Sequence, residues 1–190
     1  ERDLLECSLE SLKSSHSLLY FSTCSIYDPL LVDSPYVRHK LAMENLVLSQ
    51  SGGRVIRLPQ LIGPGAPSKT LIPYLVTSIK SRKIFSLWTL AYRNVLDTES
   101  FLSIVTELMI HELRDVKLLN VACPYSLSVL DIVAIVESEL RIHASFLPQD
   151  IGSRYNIDVA PIRKAIIRAG VAFDDDYYRR VISQYINCCC

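Results

Sequence analysis

The chain has 190 residues, 49% of them hydrophobic, with 20 basic and 20 acidic side chains and a pI near 7.1. That length supports one core and, by default, one domain, while the balanced charge leaves no basic stripe for a nucleic-acid partner. No apolar run reaches the roughly 18 residues of a membrane span, and the opening Glu1-Arg2-Asp3 is not a signal peptide.

Leu4, Leu5, Leu9 and Leu12 recur at helical spacing, so residues 1–15 read as an amphipathic helix. Residues 17–27 read as a strand, broken by Asp28-Pro29, with a loop over 28–35 closed by Ser34-Pro35. A helix is expected from Tyr36 to Gln50, with Leu41, Leu46 and Val47 inward, ended by Gly52-Gly53. Arg54–Leu58 is a short buried strand running into a turn-rich loop at residues 59–65. Further on, residues 70–82 read as a helix, Lys83–Leu87 as a strand, Asn94–Asp97 as an extended piece and Thr98–Leu113 as an amphipathic helix. Lys117–Ala122 is a strand. Ser128-Val-Leu-Asp131 resembles a capping box opening a helix to about Arg141. Ala144–Leu147 reads as a strand, Asp158 caps a helix to Ala169 stopped by Gly170, and residues 174–186 form the last helix. This alternation predicts an α/β fold with a parallel sheet, helices on both faces and a smaller C-terminal lobe covering a substrate. The expected division is residues 1–65, part of a Rossmann-like unit, and 66–190, a mixed remainder with the substrate lobe.

One stretch carries chemistry. The apolar run at 18–21 ends in Ser22-Thr23, as a strand does when it delivers hydroxyls to a site. Tyr36 and Lys40 then stand four apart on one helix face. An ammonium beside a phenol favours the phenolate, lowering a pKa of about 10. Such a phenol can exchange a proton with a substrate hydroxyl or carbonyl, and a Thr hydroxyl can hold the same oxygen.

At Ser22-Thr-Cys-Ser-Ile-Tyr27 and Tyr36-Val-Arg-His-Lys40 the chain resembles an extended short-chain dehydrogenase/reductase, in particular the NAD-dependent epimerase/dehydratase family that acts on nucleotide sugars. Arg57-Leu-Pro-Gln-Leu-Ile-Gly-Pro-Gly65, Asn94-Val-Leu-Asp97 and Leu118-Leu-Asn-Val-Ala122 fit that family's later pieces in order. The resemblance implies NAD or NADP as cofactor, a nucleotide sugar as substrate and a homodimer paired through the Tyr-Lys helix. It implies Tyr36 as catalytic acid/base and Lys40 as the group that holds the nicotinamide ribose and lowers the Tyr pKa. Thr23 binds the reacting oxygen in this picture. Ser22 and Pro59 lie at the cofactor, Gln60 at the sugar, and Arg93 at the substrate diphosphate.

Two departures bear on function. No glycine occurs before Gly52, so the family's glycine-rich pyrophosphate loop is not in these residues, and the first strands of the sheet are expected to be missing. Where sugar-nucleotide dehydratases of this family carry an Asp-Glu pair after the Thr, this chain has Cys24-Ser25, which disfavours dehydration and leaves epimerisation or carbonyl reduction. The alternative is a Rossmann-like sensor or scaffold without chemistry.

Several residues read as structural. Cys24 is a small buried filler, Asp97 a helix cap, Asp174-Asp175-Asp176 a solvated helix start, and Tyr74, Trp88 and Tyr92 core packing. His16, His39, His111 and His143 share no ligand spacing, nor do Cys7, Cys24 and Cys123, so no metal is expected. His39 is expected to face solvent. The terminal Cys188-Cys189-Cys190 reads as a frayed end rather than a lipidation site. Cysteines without a framework point to a reducing, cytoplasmic compartment.

Overall fold

A computed structural model describes residues 1–10, 17–111 and 116–189. The first helix is α1 (Arg2–Glu10); the rest of the expected helix, with Leu12 and His16, lies outside the described residues. β1 (Leu18–Thr23) ends sooner than the sequence pattern suggests. The Thr23 hydroxyl accepts the N–H of Ser25 and turns the chain into a 3₁₀ segment, Cys24–Tyr27, in place of the expected strand. α2 (Pro35–Leu48) starts where Ser34 accepts the N–H of Val37 and Pro35 takes the first helical position.

β2 (Gly53–Leu58) follows α2 so tightly that a Cβ on Gly53 would lie 1.8 Å from the carbonyl oxygen of Val47. The segment read as loop 59–65 contains a strand, β3 (Gln60–Ile62), because β6 (Val95–Asp97) supplies a parallel partner beside it. Then come α3 (Leu71–Lys80), β4 (Phe85–Trp88) and β5 (Tyr92–Arg93) before β6, and α4 (Thr98–His111), capped by Asp97, whose Oδ1 accepts the N–H of Ser100. Leu113 lies outside the described residues. β7 (Leu118–Asn120), β8 (Leu127–Ser128), α5 (Val129–Leu140) and β9 (Phe146–Gln149) follow. Ser128 caps α5, accepting the N–H of Asp131 at 3.0 Å and donating to its carboxylate.

The expected helix from Asp158 opens as a 3₁₀ turn, Ala160–Ile162, and continues as α6 (Arg163–Arg168). Gly170 ends it with a φ of 66°. α7 (Tyr177–Cys189) begins later than residue 174 and runs beyond 186. Cys188 and Cys189 are therefore not frayed as expected: they continue a helix anchored by buried Tyr177, Tyr178, Val181, Ile182 and Ile186. Cys190 lies outside the described residues.

The central sheet is parallel, in the order β1-β2-β7. α1 and α2 cover one face, where Leu5, Met43 and Val47 pack on Val55. The other face carries the main core, in which Ile56, Leu58, Leu119 and Val121 meet Ile104 and Leu108 of α4 and Ile132 and Val136 of α5. Within α2 the fully inward residues are Val37, Met43, Glu44 and Val47, while Leu41 and Leu46 are only partly buried. Tyr74 and Trp88 depart from the core-packing expectation, being 41% and 40% exposed. Trp88 alternates outward along β4, whose inward positions are Phe85 and Leu87.

Candidate active site

In parallel sheets with helical crossovers, ligands sit outside the carboxyl ends of the strands. At that end of β1 lie Ser22 and Thr23, both buried. The Thr23 hydroxyl accepts the Ser25 N–H at 3.1 Å and donates to Ser25 Oγ at 3.0 Å, so it already serves as the cap of the turn. Ser22 Oγ is buried with no hydrogen-bond partner among the described residues, and Gln60 Oε1 is in the same condition. Buried polar atoms of this kind are uncommon and mark places where a ligand group can complete the bonding.

α2 packs on β1 and carries Tyr36 and Lys40 one turn apart. Tyr36 is 53% exposed. Lys40 turns to a different phenol: its Nζ donates to Tyr20 Oη at 2.9 Å, to Glu1 Oε1 at 2.8 Å and to the Phe21 carbonyl at 3.4 Å. Tyr20 donates to the same Glu1 oxygen at 2.9 Å, and His39 Nε2, on a side chain 41% exposed as expected, lies 3.0 Å from the other. The Lys40 hydrogen bond holds the Glu1 carboxyl at about 2. Burial works against the Lys40 charge, yet its bonds to Glu1 and Tyr20 prevail and keep its pKa above the ordinary value. Burial raises the Tyr20 phenol, against the pull of Lys40.

Behind this surface lies a buried counterpart that the sequence pattern did not reveal. Arg57 of β2 grips Glu44 of α2 with two bonds, Nε to Oε1 at 3.0 Å and Nη2 to Oε2 at 2.6 Å. Its Nη1 donates to Tyr27 Oη at 2.9 Å, and Tyr27 Oη donates to Asn120 Oδ1 at 3.0 Å. An apolar-to-polar break in the inward stripe of α2, with Glu44 between Met43 and Val47, was the available signal.

Arg93 is committed to the protein. Its Nη1 lies 3.6 Å from Asp28 Oδ2 and donates to the Tyr92 carbonyl at 2.8 Å. Asp28 is buried, and its Oδ1 also accepts from Ser153 Oγ at 2.6 Å and the Leu30 N–H at 3.0 Å. Arg154 lines an open cleft, and its guanidinium sits 4.9 Å from the Tyr92 ring centre. It shares a cleft of about 420 Å³ with Asn94, Ser126, Tyr155 and Asn156. Asn94 fixes the floor, donating to the carbonyls of Cys123 and Tyr125 and accepting the Cys123 N–H. Tyr155 and Ile157 pack on Cys24, so the cleft wall adjoins the residue after Thr23. Burial pushes the Cys24 thiol up to about 12, which fits the expected filler.

No family model matches this chain, and no curated protein matches it. Solved structures do. A dTDP-glucose 4,6-dehydratase from Bacillus anthracis, solved with NAD, superposes over 97% of this chain with a TM-score of 0.77 at 17% identity. A UDP-glucuronic acid 4-epimerase from Bacillus cereus, with its substrate and NAD, covers 98% with 0.72 at 19%. RMD from Pseudomonas aeruginosa, complexed with NADPH, covers 95% with 0.71 at 19%. The chain has the Rossmann-like fold of these proteins. It spans 64%, 65% and 71% of their lengths respectively.

Proposed function

We propose that the protein is an NAD(P)-dependent epimerase or reductase of the extended short-chain type, acting on a nucleotide sugar. The observation that carries this reading is the placement of Thr23 at the carboxyl end of β1 beside the helix bearing Tyr36 and Lys40, in a fold shared with NAD-dependent nucleotide-sugar enzymes. A bound nicotinamide would supply the hydride acceptor and donor. Lys40, Ser22 and Pro59 would hold its ribose and ring end: Lys40 brings three N–H donors and Ser22 an unpartnered hydroxyl. The pyrophosphate end finds no glycine cradle within these residues, since Gly52 is the first glycine. Tyr36 would exchange the proton with the sugar oxygen that Thr23 holds, and Gln60 and Arg154 would bind the rest of the substrate. Arg93, tied to Asp28, would act on the diphosphate only after releasing that partner. Cys24 and Ser25 offer no carboxyl acid and base beside Thr23, which supports epimerisation or reduction over dehydration.

In this reading residues 1–65 belong to the dinucleotide-binding part and the substrate lobe lies within 66–190. A homodimer would pair α1 and α2 with their copies; exposed Leu4 and the groove lined by Ala42 and Leu46 support that face. A cytoplasmic location is part of the same proposal. No described helix is long and apolar enough to cross a membrane.

The second reading, a sensor or scaffold that keeps the fold without chemistry, draws on one observation: every Lys40 proton and the Thr23 hydroxyl are bonded within the protein. Titrating the intact protein with NADH and NADPH, followed by nicotinamide fluorescence, separates the two. Binding in the micromolar range supports the enzyme, and none at high micromolar cofactor supports the scaffold. Tyr36→Phe should then lower turnover by about 10²-fold or more with cofactor affinity unchanged, as loss of a general acid/base does. Turnover surviving within a few-fold would refute the role given to Tyr36.

A further inference from the structure

We infer that Arg57 is a positioning residue for this site, setting the distance between the turn behind Thr23 and the helix that carries Tyr36 and Lys40. One guanidinium joins three elements. Its Nε and Nη2 take both oxygens of Glu44, one helical turn beyond Lys40 on α2, and its Nη1 takes Tyr27 at the end of the 3₁₀ turn that Thr23 caps. Tyr27 is held in turn by Asn120 at the end of β7, whose Nδ2 donates to the Asp158 carbonyl at 2.8 Å. The next residue, Asp28, is pinned from the other side by Ser153 and the Leu30 N–H. Drift of the turn from α2 breaks the Arg57–Tyr27 bond, while the bonds at Asp28 hold the end of the turn to Ser153 and Leu30.

The geometry is also obligatory. Glu44 is 2% exposed, and a carboxylate so placed needs its counter-charge and its hydrogen bonds together. Lysine would neutralise it, but a point ammonium lacks the planar fork that reaches a carboxylate and a phenol at once. The network thus fixes orientation, which the Arg57–Glu44 charge pair alone would not.

The consequence for cofactor binding rests on the nicotinamide reading; the mechanical coupling does not, so the experiment has two arms on the intact protein. Tyr27→Phe deletes one hydroxyl and keeps the ion pair, and Arg57→Lys keeps the charge and loses the fork. By amide hydrogen exchange, both variants should speed exchange by about ten-fold in residues 24–30 and in 36–44 together, with global unfolding little changed in Tyr27→Phe. By fluorescence, both should weaken NADH by about five-fold or more, and the emission of bound NADH should move toward that of free cofactor, since misplacement by a fraction of an ångström degrades a preorganised site. Exchange that rises at only one of the two segments overturns the inference. So does faster exchange with NADH affinity within about two-fold of wild type, the pattern of a merely structural tie. Should the wild-type protein bind neither nucleotide, the nicotinamide reading fails by itself, and the exchange arm alone decides whether Arg57 couples the turn to the helix.

Discussion

Lys40, Glu1 and Tyr20 meet on the outer side of α2; Arg57, Glu44 and Tyr27 meet beneath it. Each set is a cation, a carboxylate and a phenol, and the bond lengths are nearly the same: 2.8 and 2.9 Å outside, 2.6 to 3.0 Å inside. The cations are equally covered, at 15% exposed each, and the carboxylates separate the sets: the Glu1 side chain is 42% exposed and that of Glu44 2%. Near water the Coulomb attraction is weak and screened, and its partners exchange readily; in the interior each charge depends on the other. The residue types follow the environments. Lysine, a compact and well-hydrated charge, stands where a ligand's hydroxyls could replace Glu1 and Tyr20, whereas arginine's fork stands where nothing is exchanged.

Removing one partner should expose that difference most sharply in the buried set. Glu44→Ala leaves the Arg57 guanidinium without its counter-charge at a part-buried position, and we expect a loss of about 3–5 kcal/mol in denaturant unfolding. Replacing both residues together with apolar side chains of similar volume should recover most of that loss. If Glu44→Ala costs less than about 1 kcal/mol, the two clusters are energetically alike and the contrast fails.

Asn94 tests a neutral version of the same principle. Its amide satisfies the Cys123 and Tyr125 carbonyls and the Cys123 N–H, all at the floor of the cleft. Asn94→Ala should cost about 2 kcal/mol, because buried backbone groups lose their partners. Thiol labelling with peptide mapping checks the burial itself. Cys7 and Cys188 should react in the native protein, while Cys24 and Cys123, both pushed up to about 12 by burial, should react only once denaturant opens the fold.

What could be read from the chain beforehand follows the range of each interaction. The start of α2 was legible because Ser34-Pro35 acts locally, and so was the capping box at Ser128; the end of α2 was not, since the helix stops at Leu48 with Ser49 as cap, before Gly52-Gly53. The parallel alternation came from short-range apolar patterning, whereas the end of β1 at Thr23 did not, because the turn that Thr23 caps replaces the last residues of the expected strand. The placement of Tyr36 and Lys40 on one helix needs only the period of 3.6. Lys40's phenol, by contrast, comes from a strand 20 residues earlier in the chain, and the carboxylate from 39 residues earlier. Arg57 and Glu44 are 13 apart on different elements, and β3 is a strand only because β6 lies beside it. Such pairings are set by how helices and strands pack, which no local window contains. The same holds for Arg154, whose ring partner, Tyr92, lies far away in sequence.

The outer cluster yields the smallest effect and the finest test. Glu1→Gln should cost no more than about 1 kcal/mol at pH 7, since the carboxylate is well solvated and screened by salt. Lys40 holds the folded pKa of Glu1 below the ordinary 4.5, but solvent at the 42% exposed side chain screens most of that shift's energy, so the contribution is small and complete above about pH 4.5. As pH falls from 4.5 toward 2 the carboxylate protonates and the advantage of wild type over Glu1→Gln should shrink to nothing. High salt at pH 7 should shrink it as well. A gap that exceeds about 2 kcal/mol, or that persists near pH 2, would mean that Lys40 is locked as firmly as Arg57. A locked Lys40 could not yield its protons to a ribose, and the balance would then tip from the enzyme reading to the scaffold.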